Sequence, residues 1–136
     1  EVQKLVEKAG ERVKFTGYIE NQKLYRYYQS ADIQVIPSLW EEAAGLIAIE
    51  GMLSGLPLII TKSGGMIEYA PSNVAVWIDR DNIIPNLEAA IIQLADDKEK
   101  RKEMSELSLE QAKEFPKKKF YEDYIEVFEH EGTRKR

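Results

Sequence analysis

Residues 37 to 62 limit this chain more than any other stretch. They read Pro-Ser-Leu-Trp-Glu-Glu-Ala-Ala-Gly-Leu-Ile-Ala-Ile-Glu-Gly-Met-Leu-Ser-Gly-Leu-Pro-Leu-Ile-Ile-Thr-Lys. Between Ala43 and Thr61 there is one charged residue, Glu50. The pattern is a loop, an apolar helix over about Gly45 to Ser54 that stops at Gly55, and an apolar strand, Leu58-Ile-Ile-Thr61. A near-continuous apolar strand belongs to a parallel sheet covered on both faces. A carboxylate in an apolar helix is expensive unless something satisfies it. Glu50 is therefore expected to be buried and to have a partner.

The flanking sequence repeats the alternation. Val2, Leu5, Val6 and Ala9 make a helical stripe that ends at Gly10. Val13-Lys-Phe15-Thr alternates and ends at Gly17, a short strand. Asn21 is placed to cap a helix with the apolar face Leu24, Tyr27, Tyr28 and Ala31. Ile33 to Ile36 reads as a strand closed by Pro37. Ser63-Gly64-Gly65 turns into a short helix, Met66 to Tyr69. Val74 to Ile78 is a strand, and Ile84, Leu87, Ile91 and Leu94 mark an amphipathic helix. From Lys98 the chain is helical, broken at Pro116, with a last stripe of Phe120, Tyr124, Val127 and Phe128 and a tail, 131–136, expected to fray. Strands alternating with helices predict an α/β domain, a Rossmann-like parallel sheet with flanking helices built from right-handed crossovers.

Bulk properties close off several functions. The 136 residues suit one domain, and 43% hydrophobic content supplies a core. A net charge of -5 does not suggest nucleic-acid binding. Lys117-Lys118-Lys119 is balanced locally, since residues 98–136 count eleven basic and ten acidic side chains, and reads as a solvated helix face. There are no cysteines and one histidine, His130, which speaks against thiolate metal sites and His-based triads. No apolar run reaches the roughly 18 residues of a spanning helix, and no signal peptide is visible. The chain does not open with Met and its first residues read as mid-helix, as in a piece of something longer.

In open parallel sheets ligands gather beyond the carboxyl ends of the strands. Gly17-Tyr18, Pro37 to Glu42 and Thr61 to Gly65 fall there. Gly45 begins the central helix, where open amides and the helix dipole suit a phosphate, or it serves only a tight turn. Glu42 and Glu50 on one helix would be about 12 Å apart along the axis and about 80° apart around it. That spacing does not suit two carboxylates sharing a proton. It fits acceptors for hydroxyl groups at two ends of an extended ligand. Glu42 could equally be a surface acid, like Glu41 beside it, and Glu50 a buried acid paired with Lys62 or Arg26. Ser63-Gly64-Gly65 is either a second set of amide donors or an ordinary turn. Tyr25, Tyr27 and Tyr28 form an aromatic platform or core packing. Trp40, exposed by its context, could line a pocket mouth.

Taken in order, Val13 to Gly17, Leu24 with Tyr28 through Asp32, Val35 to Ser38, Glu42 to Glu50, Gly55-Leu-Pro57 and Gly64-Gly65-x-x-Glu68 resemble one family. It is the carboxyl-terminal, donor-binding half of retaining glycosyltransferases of the family-4 type, with the GT-B fold. Glu42-Ala-Ala-Gly-Leu-Ile-Ala-Ile-Glu50 fits its E-x7-E motif, in a form similar to lipopolysaccharide-core glucosyltransferases, and the likeness covers about residues 1–130. It implies hexose transfer from a nucleotide sugar, UDP foremost, to a glycan or lipid-linked acceptor with retention, without a metal or other cofactor.

The resemblance also implies roles. Glu42 would contact the donor sugar as the catalytic carboxylate, and Ala43 would line the same segment. Amides of Ala44, Gly45 and Leu46 would face the diphosphate, and Glu50 would hold the ribose. Tyr18 and Ile19 would lie by the base, with Trp40, Thr61, Gly64 and Gly65 lining the pocket. The helix after Pro116 is similar to one that crosses back to the amino-terminal domain. The domain's first two strands, with an Arg and a Lys, are expected to be missing here, as is the acceptor-binding domain. In the order 3-2-1-4-5-6 the Phe15 and Ile36 strands would then close the gap, lose pairing or recruit another chain, an oligomer through the truncated sheet. The chain alone is expected to be inactive and to bind donor weakly at best. The resemblance implies a cytoplasmic place, at the inner membrane face for the full enzyme, with the membrane contact peripheral. The alternative is a non-catalytic nucleotide-binding or assembly module, or one half of a two-chain enzyme. A nucleotide-sugar epimerase is a further option that the E-x7-E helix argues against.

Overall fold

A computed structural model describes residues 2–41 and 45–115. The stripe from Phe120 to Phe128, the helix after Pro116 and the tail 131–136 lie outside the described residues. The elements in order are α1 (Val2–Ala9), a 3-10 turn (Gly10–Arg12), α2 (Asn21–Ser30), β1 (Gln34–Ile36) and α3 (Leu46–Leu53). There follow β2 (Leu58–Thr61), α4 (Met66–Tyr69), β3 (Ala75–Ile78), α5 (Ile83–Asp96) and α6 (Lys98–Ala112).

The sheet is parallel, in the order β1-β2-β3. Gln34, Val35 and Ile36 lie opposite Leu58, Ile59 and Ile60. Leu58 through Thr61 lie opposite Ala75 through Ile78. Each neighbour is reached by a helical crossover, and the order matches the 4-5-6 half of a doubly wound sheet. All four residues of β2 are buried, as the apolar run predicts for a central strand.

The sheet separates two apolar layers. Leu58 and Ile60 pack with Ile36, Ala48, Met52, Met66 and Val74, and the end of α6 adds Ala112. Ile59 on the other face packs with Ile78 of β3 and with Ala90, Leu94 and Met104 of α5 and α6. Alternate residues of one strand thus serve opposite layers. A side chain of this size is worth roughly 1.5–3 kcal/mol when buried, so β2 is the core's main anchor. α3 packs on α6, where Ser108 Oγ donates to Leu56 O at 2.9 Å inside the protein.

Two local expectations change. Val13 to Thr16 is not a strand, and Phe15 stays 71% exposed. Alternation supplies a face, but a strand exists only by pairing, and no described strand runs beside it. Asn21 does not cap α2; it is the first helical residue and Glu20 is the N-cap, in extended conformation.

Candidate functional site at the carboxyl ends of the strands

The turn into α3 sets the site's geometry. Gly45 is the N-cap, at φ 51° and ψ 31°, and its carbonyl accepts from the Ala48 amide at 2.8 Å. A Cβ at Gly45 would sit 2.6 Å from Met66 Cγ and 3.2 Å from Met66 Cα. Glycine is required here by backbone conformation and by the close approach of α4. The tight-turn role is therefore real, and it leaves α3 starting at Leu46 after an N-cap residue that makes no side-chain capping bond. Leu46 itself is 66% exposed. The helix that carries Glu50 begins at Leu46, after Gly45. Glu42, Ala43 and Ala44 lie outside the described residues.

Glu50 is exposed, which corrects the expectation of a buried acid. The buried positions of α3 are Ala48, Gly51 and Met52, and Glu50 falls on the opposite side of the helix. The expected pairings are also replaced. Lys62 pairs with Asp79 at 2.9 Å, and Arg26 Nε donates to the Tyr25 hydroxyl at 3.1 Å. The partner is Tyr28 of α2, whose hydroxyl donates to Glu50 Oε2 at 2.8 Å. Burial, then the hydrogen bond and charge of Glu50, push the Tyr28 phenol from 10.0 up to about 12. The tyrosine trio divides accordingly. Tyr28 packs on the core, whereas Tyr25 and Tyr27 face solvent.

The loop after β1 is tied to the ends of both other strands. Thr61 Oγ1, fully buried, donates to Ser38 O at 2.6 Å. Ser63 Oγ donates to Trp40 O. The Gly64 amide donates to Glu41 Oε2 at 2.7 Å, and Arg80, just past β3, donates to Glu41 Oε1. The Arg80 bond and then the Gly64 amide hold the Glu41 carboxyl below its usual range. Thr61 and Gly64 thus engage the loop. Gly65 is half-buried as the residue before α4. Trp40 is 81% exposed and Tyr18 90%, with Ile19 half-buried.

Sequence reasoning passed over Glu41 as a surface acid and did not single out Arg80. Its position was the available signal, because Arg80 follows the carboxyl end of a strand as Glu41 and Gly64 do. Two hollows, of about 500 Å³ and about 260 Å³, lie along β3 and involve Val76, Trp77 and Gln93. Neither reaches Gly45, Glu50 or Trp40, so the strand-end location rests on topology. Among the described residues no group of three or more His, Asp and Glu gathers that could hold a metal ion. No described helix is long and apolar enough to cross a membrane.

Residues 1–111 match the family model described as glycosyl transferases group 1. The chain belongs to this glycosyltransferase family. Group 1 relatives include the D-inositol 3-phosphate glycosyltransferase of Corynebacterium diphtheriae, 32% identical over 105 residues, 76% of this chain and 24% of that protein. An uncharacterized glycosyltransferase of Methanocaldococcus jannaschii is 35% identical over 68 residues, 49% of this chain and 17% of the relative. Among solved structures, sucrose-phosphate synthase from Thermosynechococcus elongatus superposes with a TM-score of 0.81 at 26% identity. It matches 95% of this chain and 34% of that one. The chain thus spans about a quarter or less of these curated relatives. Its parallel α/β architecture is that of the GT-B glycosyltransferases, and it fits their carboxyl-terminal domain.

Proposed function

We propose that this chain is the donor-binding domain of a retaining group 1 glycosyltransferase that moves a hexose from a nucleotide sugar, UDP foremost, to a glycan or lipid-linked acceptor. One observation carries the reading: α3 begins at a glycine-pinned turn beside the strand ends, with an exposed carboxylate, Glu50, farther along the same helix. Helix-start amides at Gly45 and Leu46, with Ala44, would receive the diphosphate. Glu50, oriented by Tyr28, would accept from the ribose hydroxyls. Exposure suits this role, because a ligand can reach the carboxylate without an uncompensated buried charge in its absence.

Glu42 would serve the sugar hydroxyls and Ala43 line the same segment, while Tyr18 and Ile19 would face the base. Trp40 would shield the pocket edge, with Thr61, Gly64 and Gly65 shaping its floor. Such a site works by electrostatic stabilisation of the leaving diphosphate, with no metal needed. Acceptor binding, a peripheral place at the inner face of the membrane, and contacts through the open sheet edge belong to the same reading.

Calorimetry with UDP tests it. Glu50→Gln removes a charged acceptor and is expected to weaken UDP binding roughly tenfold or more. Equal affinity in the wild-type and Glu50→Gln proteins would contradict the ribose role.

A further inference from the structure

Besides a long bond from Arg80 Nη1 to Leu39 O, at 3.5 Å, four links hold the segment from Ser38 to Glu41 on the ends of the neighbouring strands. Two come from buried hydroxyls, Thr61 and Ser63, and reach backbone carbonyls. The other two meet on one side chain. Glu41 uses Oε2 for the Gly64 amide, after β2, and Oε1 for Arg80, after β3. A single carboxylate therefore ties the loop to two different elements. Apolar packing does not hold the loop, because its large side chains, Leu39 and Trp40, point out to solvent.

We propose that Glu41 and Arg80 are positioning residues for the donor site, holding the loop that leads directly into Glu42. The proposal rests on the reading that Glu42 meets the donor sugar. Exposed ion pairs add little to stability, and Glu41 and Arg80 side chains are 64% and 39% exposed. The worth of this pair is directional: charge-assisted bonds to two elements fix where the loop leaves β1. A small misplacement of a reacting group is enough to impair function. Lys62 and Asp79 nearby satisfy each other, so Arg80 is the cation that faces Glu41.

Fluorine NMR of protein labelled with fluorotryptophan tests this, since the chain has two tryptophans. Trp40 reports on the loop. Trp77, in β3 with its Nε1–H donated to Ala70 O at 2.9 Å, is the internal reference. In Arg80→Met the Trp40 signal is expected to shift while Trp77 and the melting temperature stay put. On the same samples UDP-hexose binding should weaken about tenfold while UDP binding holds, because the loop serves the sugar. Arg80→Lys should recover part of the loss, and Glu41→Gln should reproduce it should Arg80→Met fail to fold. An unmoved Trp40 signal, or equal weakening of UDP and UDP-hexose, would overturn the positioning role. A wild-type chain that binds neither ligand would overturn the donor-site reading itself, even with Trp40 responding to Arg80→Met.

Discussion

Gly45 and Gly51 are the residues where a single methyl group is least tolerable. Gly45→Ala adds left-handed strain to the clash with Met66, and is expected to lower unfolding free energy by about 1–3 kcal/mol in urea titration. At Gly51 a Cβ would fall 1.7 Å from Oε1 of Gln34. That oxygen is buried and has no hydrogen-bond partner among the described residues, while Nε2 of the same side chain donates to Ile47 O at 3.1 Å. Gly51→Ala should cost about 1–3 kcal/mol, and pairing it with Gln34→Ala should recover part of the loss. Tyr28 gives a pH signature. Its folded pKa is raised, so the Tyr28–Glu50 contribution is present below the unfolded value of 10.0 and is lost as pH rises through about 12. The carbon NMR signal of its ring Cζ is expected to remain that of a neutral phenol at about pH 11; an ionised signal there would contradict the contact. At this scale the sequence posed the right question about Glu50 and misjudged its setting. α3 is apolar all round, with Leu46 and Leu53 exposed beside Glu50, so no polar stripe marked its outer face.

The elements were more legible than their contacts. β2 declared itself through four apolar or β-branched residues between Pro57 and Lys62, and α5 through its periodicity. The Val13 segment misled because strand pairing is nonlocal, whereas its alternation is local. The loop after β1 shows the same limit, since its anchors lie 23 and more residues away in sequence. Thr61→Val tests that anchoring. It leaves Ser38 O without the hydroxyl that reaches it, and a loss of about 1–3 kcal/mol is expected in thermal or urea unfolding. Glu41 adds a pH dependence. Its folded pKa is lowered, so its contribution is present above the unfolded value of 4.5 and is lost as pH falls through the folded pKa below it. The Trp40 signal should therefore hold steady through pH 4.5 and move only in stronger acid.

As a whole molecule the chain pairs a buried β2 with a loop tied to the ends of its neighbouring strands, and it covers about a quarter or less of the two curated glycosyltransferases named above. The ordered motifs made the family legible. Side-chain orientation around α3 and the links from Glu41 to Gly64 and Arg80 were not, because they depend on how elements meet. Hexose transfer by the 136-residue chain alone is expected to be absent. Donor binding is the central claim, and amide NMR with millimolar UDP tests it most directly, since weak binding still leaves a map. The largest shifts are expected at Gly45, Leu46 and the Glu50 turn of α3. Shifts confined to the hollows along β3, or none at all, would contradict the account.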